Sequence, residues 1–124
     1  MALNRNKLKQ RRTQVVLLDD ILGEGESVTV RAITPRERAE YEMSMVDKEG
    51  KTIPGRVRTA RERLVIIGAI DDHGQPLFSA ADLAEMSDEW DTAALDRMFL
   101  AIKDLSGMRD AQAQKAKHEE LVGN

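Results

Sequence analysis

The longest uninterrupted apolar run in this chain is seven residues, from Leu64 to Ile70. A membrane-spanning helix needs about 18 such residues or more, so the run predicts a buried segment of a soluble domain. Val57, Ala60 and Leu64 precede or begin the run at helical spacing, which favours a helix over about 56–70. A buried strand through residues 65–67 is the alternative. A chain of 124 residues is long enough for one domain with one modest core.

Two β-rich segments precede the helical part of the sequence. The apolar quartet Val15 to Leu18 and the β-branched segment Ser27 to Ile33 predict two short strands joined by the loop at 19–25. A lone hairpin is marginal in water, so it must pack on another element. Before it, five positive charges and no acids between Arg5 and Arg12 predict a solvated, mobile arm.

Helix start and stop signals divide the rest of the chain. Thr34, Pro35 and Glu37 form a capping-box pattern that begins a helix running to about Met45. Ser79 begins a short helix with Asp82 at its third position, and Ser87 or Asp88 is predicted to cap the last long helix. Gly107 lies where a helix terminator is expected. The predicted apolar stripe of the last helix consists of Leu95, Met98, Phe99, Ile102 and Leu105.

These patterns predict a mainly α domain of the α+β class, with about four helices, a short N-terminal β-hairpin and mobile ends. We divide the chain into a basic N-terminal arm with a possible first strand (1–26), a central domain (27–108) and a polar C-terminal tail (109–124). The apolar segments are too short for a membrane span, and we find no signal peptide, so a cytoplasmic protein is expected.

No motif in the sequence meets the requirements of a catalytic, cofactor or metal site. There are no cysteines and only two histidines. Asp71, Asp72 and His73 lack the further oxygen ligands of a calcium loop, so a polar turn is expected there. The segment Gly23 to Ser27 lacks the lysine and the spacing of a phosphate-binding loop. We therefore predict no catalytic residues, no cofactor and no metal.

Charge and aromatic content argue against a dedicated nucleic-acid binder. The net charge is −3 and aromatic residues make up 3% of the chain, whereas such proteins usually carry a basic excess or exposed rings. Arginines cluster at 56–63 and acids at 82–96. The basic and acidic clusters can complement each other within the molecule, or the arginines can form a basic face that binds an acidic or helical protein partner. Three methionines, Met43, Met86 and Met108, are either core filler or adaptable partner contacts.

Six signatures follow one another along the central part of the sequence. They are VTVRAITPRERAEYE at 28–42, the acid-and-glycine loop at 47–50, RERLV at 61–65, DDHGQPLF at 71–78, AALDRMF at 93–99 and LSG at 105–107. Their order resembles that of the tail assembly chaperones of long-tailed bacteriophages and prophages. The resemblance covers roughly residues 27–108. The chain departs from the pattern in its basic start and in the absence of proline from 15–22.

The resemblance implies a non-enzymatic protein of virion assembly in the host cell cytoplasm. Proteins of this family bind the long, mostly helical tape measure protein in several copies, keep it soluble and recruit tail tube subunits. Many have a longer product made by ribosomal frameshifting, so a homo-oligomer or such a product is a further expected partner, whereas nucleic acid and membrane are not.

Candidate partner contacts are the basic residues of the second predicted helix and apolar residues outside the predicted core. Two alternatives to the chaperone remain open. The first is a structural virion component, such as a tail-completion or connector subunit, and the second is a nucleic-acid or regulatory module that uses the basic arm. The candidate contact residues are Val15, Val16, Leu17, Leu18, Arg56, Arg58, Arg61, Leu121 and Val122.

Overall fold

The computed structural model describes residues 3–108, which form a three-stranded antiparallel sheet and a set of helices. The expected α+β class and N-terminal hairpin are confirmed, and four of the described helices have seven or more residues. The elements are α1 (Arg5–Leu8), β1 (Thr13–Leu17), α2 (Asp19–Leu22), β2 (Ser27–Arg31), α3 (Pro35–Met43), α4 (Pro54–Val57), α5 (Ala60–Gly68), β3 (Ala69–Ile70), a 3₁₀ turn (Ala80–Asp82), α6 (Leu83–Glu89) and α7 (Thr92–Leu105).

The sheet has the order β1-β2-β3, so β1 is an edge strand. The hairpin pairs Thr13 with Arg31 and Leu17 with Ser27. Alternation along β1 and β2 places Val16, Val28 and Val30 on the buried face. The helix α7 packs against both strands and supplies the support that the hairpin needs.

The third strand was not predicted from the sequence, and it replaces the end of the helix that was predicted over 56–70. Ala69 has an extended backbone, with φ −82° and ψ 131°, and pairs with Val30 of β2. The predicted helix over 56–70 is also broken near its start, because α4 ends before Arg58 and α5 begins at Ala60. Its central part is helical as predicted, so the strand alternative for residues 65–67 is wrong.

The helix start signals are confirmed at α3 and corrected at α7. The Thr34 hydroxyl accepts a hydrogen bond from the Glu37 amide, and the Glu37 carboxylate accepts one from the Thr34 amide. At α7 the cap is Asp91, whose carboxylate accepts from the Ala94 amide at 3.1 Å. The predicted caps, Ser87 and Asp88, lie inside α6, which continues to Glu89.

The core lies between the sheet, α5 and α7. The predicted stripe of α7 supplies Leu95, Met98 and Ile102, all buried. Gly68 of α5 lets α7 approach closely, because a Cβ atom there would lie 2.6 Å from Cδ1 of Ile102. The remaining buried members of the core are Val16, Leu18, Val28, Val30, Tyr41, Leu64, Val65, Ala69, Met86, Ala94 and Met108.

Part of the basic arm is bound to the domain, which corrects the expectation of a wholly mobile segment. The Arg11 guanidinium donates to the Ala32 carbonyl at 3.0 Å and forms an ion pair with Glu37. Arg12 donates to the carbonyl of Leu105 at the end of α7. The charges at 11 and 12 therefore satisfy acceptors within the fold. The predicted tail from 109 onward lies outside the described residues.

Candidate protein-binding surfaces

No strand within residues 3–108 pairs with the outer edge of β1. The Leu18 amide donates a hydrogen bond to the Glu26 carbonyl, and the Ala32 amide donates one to the Arg12 carbonyl, both at 2.9 Å. These two bonds, at opposite ends of the hairpin, determine which β1 residues bond to β2. Because bonding alternates along an antiparallel pair, the backbone groups of Val15 and Leu17 point away from β2. The Leu17 carbonyl accepts a hydrogen bond from Arg97 of α7 at 3.0 Å. The open edge thus lies beside α7.

A groove between β1 and α7, the edge groove, carries exposed apolar side chains. Val15 is 58% exposed, Leu17 62% and Leu100 59%. The groove has a volume of about 550 Å³ and two charged residues, Arg97 and Asp104, along its length. It can bury an apolar partner surface while its strand edge offers backbone hydrogen bonds. Its remaining lining residues are Gln14, Val16 and Ala101.

A second groove, the end groove, opens where β1 ends and α7 begins. It has a volume of about 350 Å³. Phe78 and Trp90 meet edge to face within it, with ring centroids 4.7 Å apart. Among the described residues, its lining combines an apolar floor with acidic side chains and includes no basic side chain. It is lined by Leu18, Leu22, Glu26, Ser27, Val28, Leu77, Phe78, Trp90, Asp91, Ala94 and Met98.

The four apolar contacts predicted at 15–18 divide into two exposed and two buried residues. Val15 and Leu17 are exposed, as expected for partner contacts, but Val16 and Leu18 are only 4% exposed. The expectation that all four are loosely held is therefore wrong, because alternation directs Val16 into the core and Leu18 packs there too. Leu121 and Val122 lie outside the described residues.

The predicted basic surface is only partly available to a partner. Arg61 donates to the Asp96 carboxylate at 2.5 Å, and this hydrogen bond raises the pKa of the arginine. Arg56 lies 3.5 Å from the carbonyl of Ser44, at the limit of hydrogen bonding. Arg58 lines a small groove and has no ion pair with the described residues. Of the two interpretations of the arginine cluster, charge complementarity within the molecule holds at Arg61.

Glu62 is a buried carboxylate that sequence reasoning missed. It is 6% exposed and accepts a hydrogen bond from the Ser87 hydroxyl of α6 at 3.0 Å. The spacing of the sequence could have indicated this burial, because Glu62 precedes Val65 by three residues and Val65 precedes Ala69 by four, which places all three on one helix face. The carboxylate joins α5 to α6, and it sits in the groove that Arg58 lines.

The polar turn at Asp71 and two of the three methionines singled out in the sequence have structural roles. The Asp71 carboxylate accepts from the amides of His73 and Gln75, at 2.8 and 3.0 Å, and these bonds lower its pKa. Within the described ranges no cluster of three or more His, Asp or Glu residues could hold a metal ion. Met86 and Met108 are buried core residues, and Met43 is exposed.

No helix in the described part of the chain has the length and apolar composition needed to cross a bilayer. The described residues form a small three-stranded sheet against which the long helix α7 packs, with one apolar groove along the edge of the sheet and another at its end.

The solved structure of the tail assembly chaperone of bacteriophage HK97 is similar to this chain. The two have a TM-score of 0.55 and 21% sequence identity, over 77% of this chain and 85% of the other. This chain therefore has the fold of a phage tail assembly chaperone, and the resemblance indicated by the sequence is confirmed for the fold. No protein-family model and no curated protein matches the sequence.

Proposed function

We propose that this chain is a tail assembly chaperone that binds the tape measure protein and recruits tail tube subunits, without catalysing a reaction, in the host cell cytoplasm. The similarity to the HK97 chaperone over 85% of that protein carries the proposal. We further propose that it acts with other copies of itself or with a longer frameshift product. The sequence resemblance supports the same role.

The edge groove suits the physical task of such a chaperone. A long helical protein that awaits enclosure exposes apolar faces, and these aggregate unless another apolar surface covers them. Val15, Leu17 and Leu100 can cover one such face. The contact must also be reversible, and a small groove with polar residues at its margin favours modest affinity over permanent association.

Arg56 and Arg58 are proposed as secondary contacts for an acidic part of the partner. Exposed ion pairs contribute at most about 1 kcal/mol each, so these residues would steer or orient the partner more than hold it. Arg61 is a weaker candidate, because its guanidinium already binds Asp96.

Co-expression with the tape measure protein tests the proposal. The wild-type chain should raise the soluble fraction of the tape measure protein and co-purify with it. Replacing Leu17 and Leu100 together by aspartate should reduce co-purification by tenfold or more, because two charges would enter the apolar contact, a loss of about 1.4 kcal/mol per tenfold step.

Met43→Asp is the matched control, because Met43 is exposed on α3 and outside the edge groove. It should leave co-purification unchanged. Equal solubility of the tape measure protein with and without the chain would refute the assignment. Stoichiometric amounts of the chain in purified virions, measured by mass spectrometry, would favour the alternative, a tail-completion or connector subunit.

A further inference from the structure

The described part of the chain ends beside one end of the edge groove. Gly107, with φ +68°, turns the backbone after α7, and Met108 packs into the core. The carbonyl of Leu105, the last residue of α7, accepts a hydrogen bond from Arg12, which directly precedes β1. Residues 109–124, which lie outside the described part, therefore start at the end of the sheet where β1 begins.

The edge groove leads away from this point with a fixed order of charges. Arg97 donates to the carbonyl of Leu17, the last residue of β1, so β1 and α7 run in opposite directions along the groove. Asp104 lies at the near end, is exposed and forms no ion pair with the described residues. Arg97 lies at the far end, and its side chain remains 40% exposed beside Asp20. The exposed Leu100 lies between the two charges.

The sequence of residues 109–124 carries the complementary chemistry in the matching order. Two lysines lie within 115–117, two glutamates follow at 119–120, and the large apolar residues of the segment are the leucine and valine at 121–122. A segment that enters the groove at its near end brings the lysines to the aspartate there. Its glutamates and its apolar pair then come to the arginine and the exposed leucine of the far end.

The segment is long enough to make these contacts within its own molecule. The five-residue strand β1 is roughly 17 Å long. From Met108 to Leu121 the chain reaches about 20 Å at the compact rise of a helix, and about 40 Å when extended. Because groove and segment belong to one chain, their effective concentration is high, on the order of millimolar for a short connection.

We propose that residues 109–124 cover the edge groove of their own molecule, and that the partner of this groove must displace them. The apolar pair at 121–122 covers Leu17 and Leu100, and the preceding lysines face Asp104. The cover shields exposed apolar side chains until the partner arrives, and it lowers the apparent affinity for that partner. The displacement rests on the proposed chaperone function, whereas the docking does not.

Disulfide trapping tests the docking with the purified chain alone. The sequence contains no cysteine, so two introduced cysteines report one contact. Ala101→Cys in the edge groove, combined with Gly123→Cys beside the apolar pair, should form a disulfide under mild oxidation. The matched control combines Gly123→Cys with Met43→Cys, at an exposed position on α3, and should react at least tenfold more slowly. Equal rates would overturn the proposal.

The trapped product also reports which molecule supplies the segment. On a denaturing gel without reductant, the Ala101→Cys, Gly123→Cys chain should run as a crosslinked monomer, and its rate of formation should not change on dilution. A covalent dimer as the main product would mean that the segment covers the groove of a second copy, which would overturn the docking within one molecule.

Charge exchange tests the order of charges. Asp104→Lys should slow trapping about threefold, because the new lysine meets Lys115 and Lys117. Adding Lys115→Glu and Lys117→Glu to that variant should restore the rate, because opposite charges then face each other again. This recovery separates docking from misfolding, which further substitutions in the segment would not repair. An unchanged rate in the first variant, or no recovery in the second, would overturn the proposal.

Leu121→Asp combined with Val122→Asp tests the displacement. These changes should slow trapping tenfold and raise co-purification of the tape measure protein about threefold, because the groove is no longer covered. Weaker or unchanged co-purification would overturn the displacement, and a weaker one would make the pair a partner contact. A chain that is trapped as expected but binds no tape measure protein would refute the proposed function while supporting the docking.

Discussion

At the scale of single residues, Glu37 joins three parts of the chain. Its carboxylate accepts from the Thr34 amide at 2.9 Å and forms an ion pair with Arg11. Its own amide donates to the Thr34 hydroxyl at 3.2 Å. The cap of α3 therefore also holds the arm against the domain, and sequence spacing predicted only the first of these functions.

Thr34→Ala should lower the free energy of unfolding by about 1 kcal/mol, because it leaves one helix N-terminal amide without its side-chain acceptor. The measurement is urea denaturation followed by circular dichroism. Thr92→Ala is the control, since Thr92 is exposed at the start of α7 and its hydroxyl makes no hydrogen bond within residues 3–108. Equal losses in both variants would mean that the cap contributes nothing specific.

At the scale of elements, Gly68 decides how closely α5 and α7 pack. Alanine usually stabilises a helix over glycine by up to about 1 kcal/mol. At Gly68 we expect the opposite sign, a destabilisation of about 1 to 2 kcal/mol, because the added Cβ would lie within 3 Å of three atoms of the buried Ile102 side chain.

Gly55→Ala provides the comparison, because a Cβ atom at that position in α4 would have no atom within 4 Å. Thermal or urea denaturation should show a lower free energy of unfolding for Gly68→Ala and an unchanged or higher one for Gly55→Ala. A stabilised Gly68→Ala protein would show that the close approach of α5 and α7 does not occur.

The contact between α2 and α7 should make stability depend on pH. Arg97 binds Asp20 through two hydrogen bonds of 2.6 and 3.0 Å, which hold the pKa of Asp20 below its ordinary 3.8. A carboxyl whose pKa is lowered by folding stabilises the protein above its unfolded pKa, and this contribution disappears as pH falls through the folded value.

Asp20→Asn should therefore lower the urea midpoint at about pH 7, and this loss should become smaller at lower pH, as the Asp20 carboxyl of the wild-type chain takes up its proton. Asp72→Asn serves as the control, because the Asp72 side chain forms no ion pair with the described residues. A difference between wild type and Asp20→Asn that persists unchanged at the lower pH would contradict this account.

Sequence patterns predicted the elements whose causes are local. The cap at Thr34 and the terminator at Gly107, with φ +68°, depend on neighbouring residues alone. The strand at Ala69 and Ile70 could not be foreseen, because its extended backbone is fixed by pairing with β2, about forty residues earlier in the chain. Tertiary pairing here overrides an apolar pattern that is equally compatible with a helix.

At the scale of the whole molecule, the sequence predicted some of the residues of the candidate surfaces but not how they come together, because that depends on tertiary packing. Alternation explains why Val16 is buried and Val15 is exposed, once the hairpin register is known. That Leu22, Leu77 and Trp90 meet in one groove depends on three distant segments packing together, and no local spacing indicates it. The edge and end grooves thus give the molecule two separate places for apolar contacts.

The methionines of the core have a practical consequence for handling the protein. Met86, Met98 and Met108 are nearly free of solvent contact while the chain is folded, so oxidants reach them slowly. Once the chain unfolds, conversion to the sulfoxide makes each side chain polar and unfit for its former place. Heating in air would then make melting irreversible on cooling, and the side chains would be restored by a methionine sulfoxide reductase.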